Sequence, residues 1–170
     1  LINERMLKAL NEQVTEETYS AYLYQSMSAH FDFKGLKGFS HWMDMQTQEE
    51  MIHARKFYDY ILERGGKVLL DTIQAPPHDF GTPLEIFSSA LEHEEYITGK
   101  INYLVELAQE VKDHATFNFL QWFIGEQVEE EATAGEMVDK LTLIGDHPGA
   151  LYQIDKELSA RAVPTPPAGE

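Results

Sequence analysis

The chain contains no cysteine. Disulfide scaffolds, rubredoxin-type iron sites and cysteine-ligated zinc are therefore excluded. The absence suits a reducing compartment. Basic residues are scarce as well: 13 Lys and Arg stand against 29 Asp and Glu, a formal net charge of −16. A phosphate-bearing partner needs basic surface, so this balance argues against nucleic acid and favours cations. Long apolar runs are also missing. The longest lies around Phe117 to Ile124, is broken by Asn118 and Gln121, and is too short to span a membrane. The opening Leu1 to Arg5 lacks the charged-then-apolar order of a signal peptide. The expectation is a cytoplasmic protein with no membrane partner.

What the chain does have is 43% hydrophobic residues in a length suited to one domain with a real core. Those residues recur at alternating spacings of three and four, the mark of helices that bury one stripe. Four long segments carry the pattern. They run from about Asn3 to Phe33, Phe39 to Arg64, Pro83 to Val111 and Ala115 to Ile144. Their stripes include Met6, Leu10 and Met27 in the first and Phe39, Met43 and Phe57 in the second. Phe87, Leu91 and Ile101 mark the third, and Leu120, Phe123 and Met137 the fourth. A short fifth helix is predicted over Ala150 to Ser159.

The breaks are legible too. Lys34-Gly35-Leu36-Lys37-Gly38 reads as a short turn, and Gly65-Gly66 as a helix stop. Thr82-Pro83 followed by Glu85 reads as a capped helix start with proline at its first position. Lys112-Asp113-His114 is a tight turn, and Gly145 and Pro148 close the fourth segment. Between segments two and three runs a link of about sixteen residues from Lys67 to Thr82, which can reach about 50 Å. A helix of about twenty-eight residues is about 42 Å long, so the link can travel the whole bundle. Two antiparallel hairpins joined by one long crossover are thus predicted, an all-α ferritin-like four-helix bundle. The domain is assigned to residues 1–162, with residues 163–170 as a proline-rich mobile tail.

Charged residues interrupt all four stripes near their middles. Glu17 interrupts the first, Glu50 and His53 the second, Glu94 the third, and Gln127 and Glu130 the fourth. Mid-points of similar helices share one level, so four carboxylates and one imidazole are expected to converge in the core. Carboxylates stay ionised in an apolar core only with compensation. A pair of iron or manganese ions suits four carboxylates and a neutral histidine. The Glu50-x-x-His53 spacing puts both side chains on one helix face, as in di-iron bundles. A lone Glu-x-x-His is a weak signal. Five such groups on four stripes are hard to explain as packing, given what unpaired buried charges cost.

The strings NEQVTEETYSAYLYQSMSAHF, TQEEMIHARKFYDYILERGG, LEHEEYITGKI, FNFLQWFIGEQVEEEA and DKELSAR make the chain resemble prokaryotic non-haem ferritins from Ile2 to about Arg161. The resemblance implies an iron-storage subunit with an intrasubunit di-iron ferroxidase centre and no haem. Glu17 and His53 would ligate iron A, Glu50 would bridge, and Glu94 and Glu130 would ligate iron B, with Gln127 beside them. Two Fe(II) would give electrons to O2 or peroxide, and Fe(III) would pass to a mineral inside a homo-oligomeric cage of twenty-four subunits. Glu49, Glu126 and Glu129 match an outer third iron site that shares Glu130; alternatively they form a solvated acidic face. Tyr24 matches a tyrosine beside the centre, and as a core aromatic with a partnered hydroxyl it needs no redox role. Trp122 and Phe123 read as packing. The histidines at 30, 41, 78, 93, 114 and 147 read as surface residues.

The match departs from bacterioferritin, because Gln127 and Glu130 stand where a second Glu-x-x-His would be. Rubrerythrin's cysteine module is absent. A di-iron oxygenase would need an organic-substrate pocket between stripes that look filled. A passive metal buffer would bind iron without oxidising it.

Overall fold

The computed structural model describes residues 2–166, and among these it has five helices and no strand. They are α1 (Glu4–Phe33), α2 (Lys37–Glu63), α3 (Pro83–Glu110), α4 (His114–Ile144) and α5 (Pro148–Leu158). Residues 163–166 are non-helical, and the rest of the predicted tail, 167–170, lies outside the described residues.

Local chemistry sets most of the boundaries. The Asn3 side chain accepts from Arg5 N at the start of α1. Thr82 and Glu85 form the predicted reciprocal cap, with Pro83 at the first helical position of α3. Asp113 caps α4 by accepting from Thr116 N at 3.1 Å. Helices α1, α2 and α3 end alike. After α2, Gly65 N donates to Leu62 O and Gly66 N to Ile61 O, with Gly65 at φ 72°. The left-handed residue in that motif favours glycine. After α3 the same place is held by Lys112 at φ 56°.

The start of α2 departs from expectation. The turn ends at Leu36, and Lys37 and Gly38 are already helical. Leu36 has no capping side chain; the free N–H groups of Gly38 and Phe39 instead donate to Asp155 Oδ1 of α5, at 2.8 and 3.0 Å. A distant carboxylate thus does the work of a local cap. A Cβ on Gly38 would lie 1.5 Å from the Asp155 carbonyl oxygen, so only glycine lets α5 approach this closely.

The link between α2 and α3 does run along the bundle. Asn11 of α1 donates to Lys67 O and accepts from Leu69 N. Farther on, Ser26 donates to Pro77 O at 2.8 Å. Those two anchors are fifteen residues apart on α1, about 22 Å along the helix. The core divides into two apolar clusters at the bundle's ends. One holds Met6, Leu10, Phe57, Ile61, Leu104 and Phe123. The other holds Met27, Phe31, Phe39, Met43, Phe87 and Leu141. Among the described residues, no helix is long and apolar enough to cross a membrane.

Candidate metal centre

Buried polar side chains fill the space between the two clusters. Glu17 from α1, Glu50 and His53 from α2, Glu94 from α3, and Gln127 and Glu130 from α4 are all buried. One ligand atom each from Glu17, Glu50 and His53 lies within 4.8 Å of the others, the one such group of three found among the described residues. His53 Nδ1 is 3.3 Å from Glu50 Oε2, as expected for partners one helical turn apart. Glu94 and Glu130 are held by hydrogen bonds instead. The Tyr24 hydroxyl and Gln127 Nε2 both donate to Glu94, the latter at 3.2 Å. Gln46 Nε2 donates to Glu130 at 2.7 Å and to Glu50 at 3.3 Å.

Three glutamine amides thus serve four carboxylates, because Gln13 also donates to Glu17 at 2.8 Å. Gln13 and Gln46 were absent from the sequence-derived site. Their signal was present all the same: each stands four residues before a stripe glutamate, Glu17 and Glu50, on the same helix face.

The donors do not satisfy the group. Glu17 Oε2 is buried without any hydrogen-bond partner. Burial pushes Glu17, Glu94 and Glu130 upward, and the Glu50 charge adds to it, taking Glu94 to about 8. Burial also opposes ionisation of Glu50, yet His53 and the bonds from His53, Glu17 and Gln46 outweigh it and hold Glu50 below the usual carboxylate range. His53 is raised well above its ordinary value: burial works against its charge, but Glu50, Glu126 and Glu17 prevail. Without a cation, the surroundings thus favour the charged forms of Glu50 and His53 and the protonated forms of Glu17, Glu94 and Glu130. A cation would replace those protons, and an orphaned carboxylate oxygen beside an imidazole fits a divalent first-row metal.

The outer residues are looser. Glu126 Oε2 is 3.9 Å from His53 Nε2 on the side away from Glu50. Glu49 is half-buried and pairs with Arg161 at 2.6 Å. Glu129 is exposed. Tyr24 is fully buried, and its hydroxyl reaches Glu94. Trp122 is half-buried with its ring edge-on to His53 at 5.5 Å, and Phe123 stacks on Phe57 at 4.1 Å.

Three histidines expected on the surface are half-buried: His30, His41 and His93. His93 lies 2.7 Å from Ser20 Oγ and edge-on to Tyr19 and Tyr24. It does sit off the α3 stripe, but the α1–α3 seam is tight enough to cover it.

A ferritin-like domain family matches residues 7–144, most of the bundle. A bacterial non-heme ferritin of Bacteroides fragilis is 45% identical over 161 residues, 95% of this chain and 100% of that protein. Another from Staphylococcus epidermidis is 43% identical over 162 residues, covering 95% and 98%. Among solved structures, the open pore ferritin of the archaeon Archaeoglobus fulgidus superposes with a TM-score of 0.95 at 52% identity, over 95% of this chain and 100% of that one. The five-helix order, the buried Glu-x-x-His and similarity along nearly the whole length agree: the chain belongs to the prokaryotic non-haem ferritins.

Proposed function

We propose that this chain is the subunit of a cytoplasmic iron-storage ferritin, a ferroxidase that oxidises Fe(II) at the buried centre and deposits Fe(III) mineral inside a closed homo-oligomer of about twenty-four copies. The observation that carries the reading is the Glu17, Glu50 and His53 group with its orphaned carboxylate oxygen, faced by Glu94 and Glu130. Fe(II) is the substrate, with O2 or peroxide as oxidant. Two Fe(II) lose one electron each, and O2 taking both with two protons leaves as hydrogen peroxide. Glu17 and His53 bind one ion, Glu94 and Glu130 the other, and Glu50 bridges. Protons displaced from the carboxyls and from His53 leave as iron binds. Gln13, Gln46 and Gln127 orient the carboxylates through their amide hydrogens. Tyr24 holds Glu94 in place.

Glu49, Glu126 and Glu129 with Glu130 form an outer position for a third iron. The similarity of this chain to bacterial non-heme ferritins supports that assignment, together with Glu126 facing His53. Haem has no role in this reading.

Mixing the purified protein with Fe(II) in air tests it. Rapid oxidation, followed by iron-filled shells in electron micrographs and a large closed species by light scattering, is expected. Binding without oxidation leaves only a metal buffer. A stable monomer as sole species ends the storage reading.

A further inference from the structure

Arg161 lies just past α5 and reaches back across α2. Its guanidinium donates to Trp42 O at 3.1 Å, Gln46 Oε1 at 2.9 Å and Glu49 Oε2 at 2.6 Å, and it covers the Trp42 ring at 4.3 Å. His41 Nε2 stands 2.8 Å from the Arg161 carbonyl oxygen. The segment is anchored upstream by Asp155 on the first turn of α2. Side-chain exposures of 22% and 26% put the Arg161–Glu49 pair well below the surface pair Arg55–Asp59, at 67% and 47%, so solvent screens it less.

Two consequences follow from these contacts. Arg161 occupies an oxygen of Glu49, so a cation seeking that carboxylate competes with a charge already there. By holding Gln46 Oε1, it also turns Gln46 Nε2 toward Glu130 and Glu50.

We propose that Arg161 is the resident counter-cation of the outer acidic rim, which a third divalent ion must displace from Glu49. Filling the outer position and docking of the C-terminal segment then oppose each other by the same factor. This rests on the outer-site reading above. Arg161 is a positioning residue that acts through Glu49 and Gln46.

The test is equilibrium titration of the assembled metal-free protein with Zn(II), with crystallographic anomalous signal locating each ion. Arg161→Gln is expected to tighten the third equivalent about tenfold, the scale of one charge-assisted hydrogen bond. A merely structural role would weaken metal binding or leave it alone. Arg161→Lys keeps the charge and should stay near wild type; if it binds as tightly as Arg161→Gln, charge is not the competitor and the proposal falls. In wild-type protein, the third equivalent should speed amide exchange around residues 160–163. Unchanged third-site affinity in Arg161→Gln, while Glu129→Ala abolishes that site, overturns the role of Arg161 alone. No third equivalent in any of these proteins overturns the outer-site reading and this proposal with it.

Discussion

Gln46 on α2 donates through Nε2 to Glu130 on α4 at 2.7 Å, and the same amide reaches Glu50 at 3.3 Å. One neutral group therefore spans a proposed bridge and a proposed terminal ligand. The two sides of the centre are unequal in consequence. Glu17, Glu50 and His53 already present ligand atoms to one another, whereas Glu94 and Glu130 are engaged by Tyr24, Gln127 and Gln46.

The position at His53 should accordingly fill first. An imidazole also binds first-row divalent metals well, and its other nitrogen faces Glu126, which can orient the ring. Crystals soaked in substoichiometric Zn(II), or in Fe(II) without oxygen, should show stronger anomalous signal near His53 than near Glu94 and Glu130. Equal occupancy at low loading would mean that bridging by Glu50 couples the positions.

Glu50→Ala should abolish rapid Fe(II) oxidation, because both ions lose a ligand. Stopped-flow absorbance after mixing in air reads this directly. The helices should persist by circular dichroism. His53 loses its Glu50 partner but keeps Glu126 and Glu17 beside it, so its charge is not left unpaired. Wild-type rates in this variant would remove Glu50 from the site.

Metal-free protein should lose stability as pH rises. Glu94 carries its proton up to about 8 in the fold but only to about 4.5 in the unfolded chain, and Glu17 and Glu130 are shifted the same way. His53, also raised, stays protonated above its ordinary 6.5. The folded state binds more protons than the unfolded one across that window, so the stability these groups contribute is full below about 4.5 and declines as pH climbs through 8. Glu50, shifted down, acts only below that window. Calorimetric Tm of the metal-free protein should fall from pH 5 to pH 9, and Zn(II) loading should flatten the profile. A metal-free Tm that rises with pH would contradict the charge state described here.

Gly38→Ala should dislodge α5. The added Cβ would meet the Asp155 backbone 1.5 Å away, with no flexible side chain to yield. Overpacking of this kind costs about 1–3 kcal/mol, and here it also strips the cap from Gly38 and Phe39. Tm should drop and amide exchange rise across α5, while Fe(II) oxidation at the inner centre continues. Unaltered α5 protection would show that its docking does not depend on this contact.

The helices, the crossover and the burial of the mid-stripe glutamates and His53 were legible in the sequence. Stripe periodicity placed α1 to α4, and glycine stops and the Thr82–Glu85 pair placed most ends. Glutamates at mid-stripe positions pointed inward because the stripe itself defines the buried face. All of that information is local, carried by residues within a turn or two of each other. Tertiary structure alone decided what depends on distant residues. The start of α2 is set by Asp155, more than a hundred positions along the chain. His93 is covered because α1 packs against α3, a burial its own helix face does not foretell. Glu49 meets Arg161 because α5 folds back over α2, a pairing that spacing along one helix cannot reveal. Local periodicity fixes which way a side chain points, and only packing fixes what it finds there.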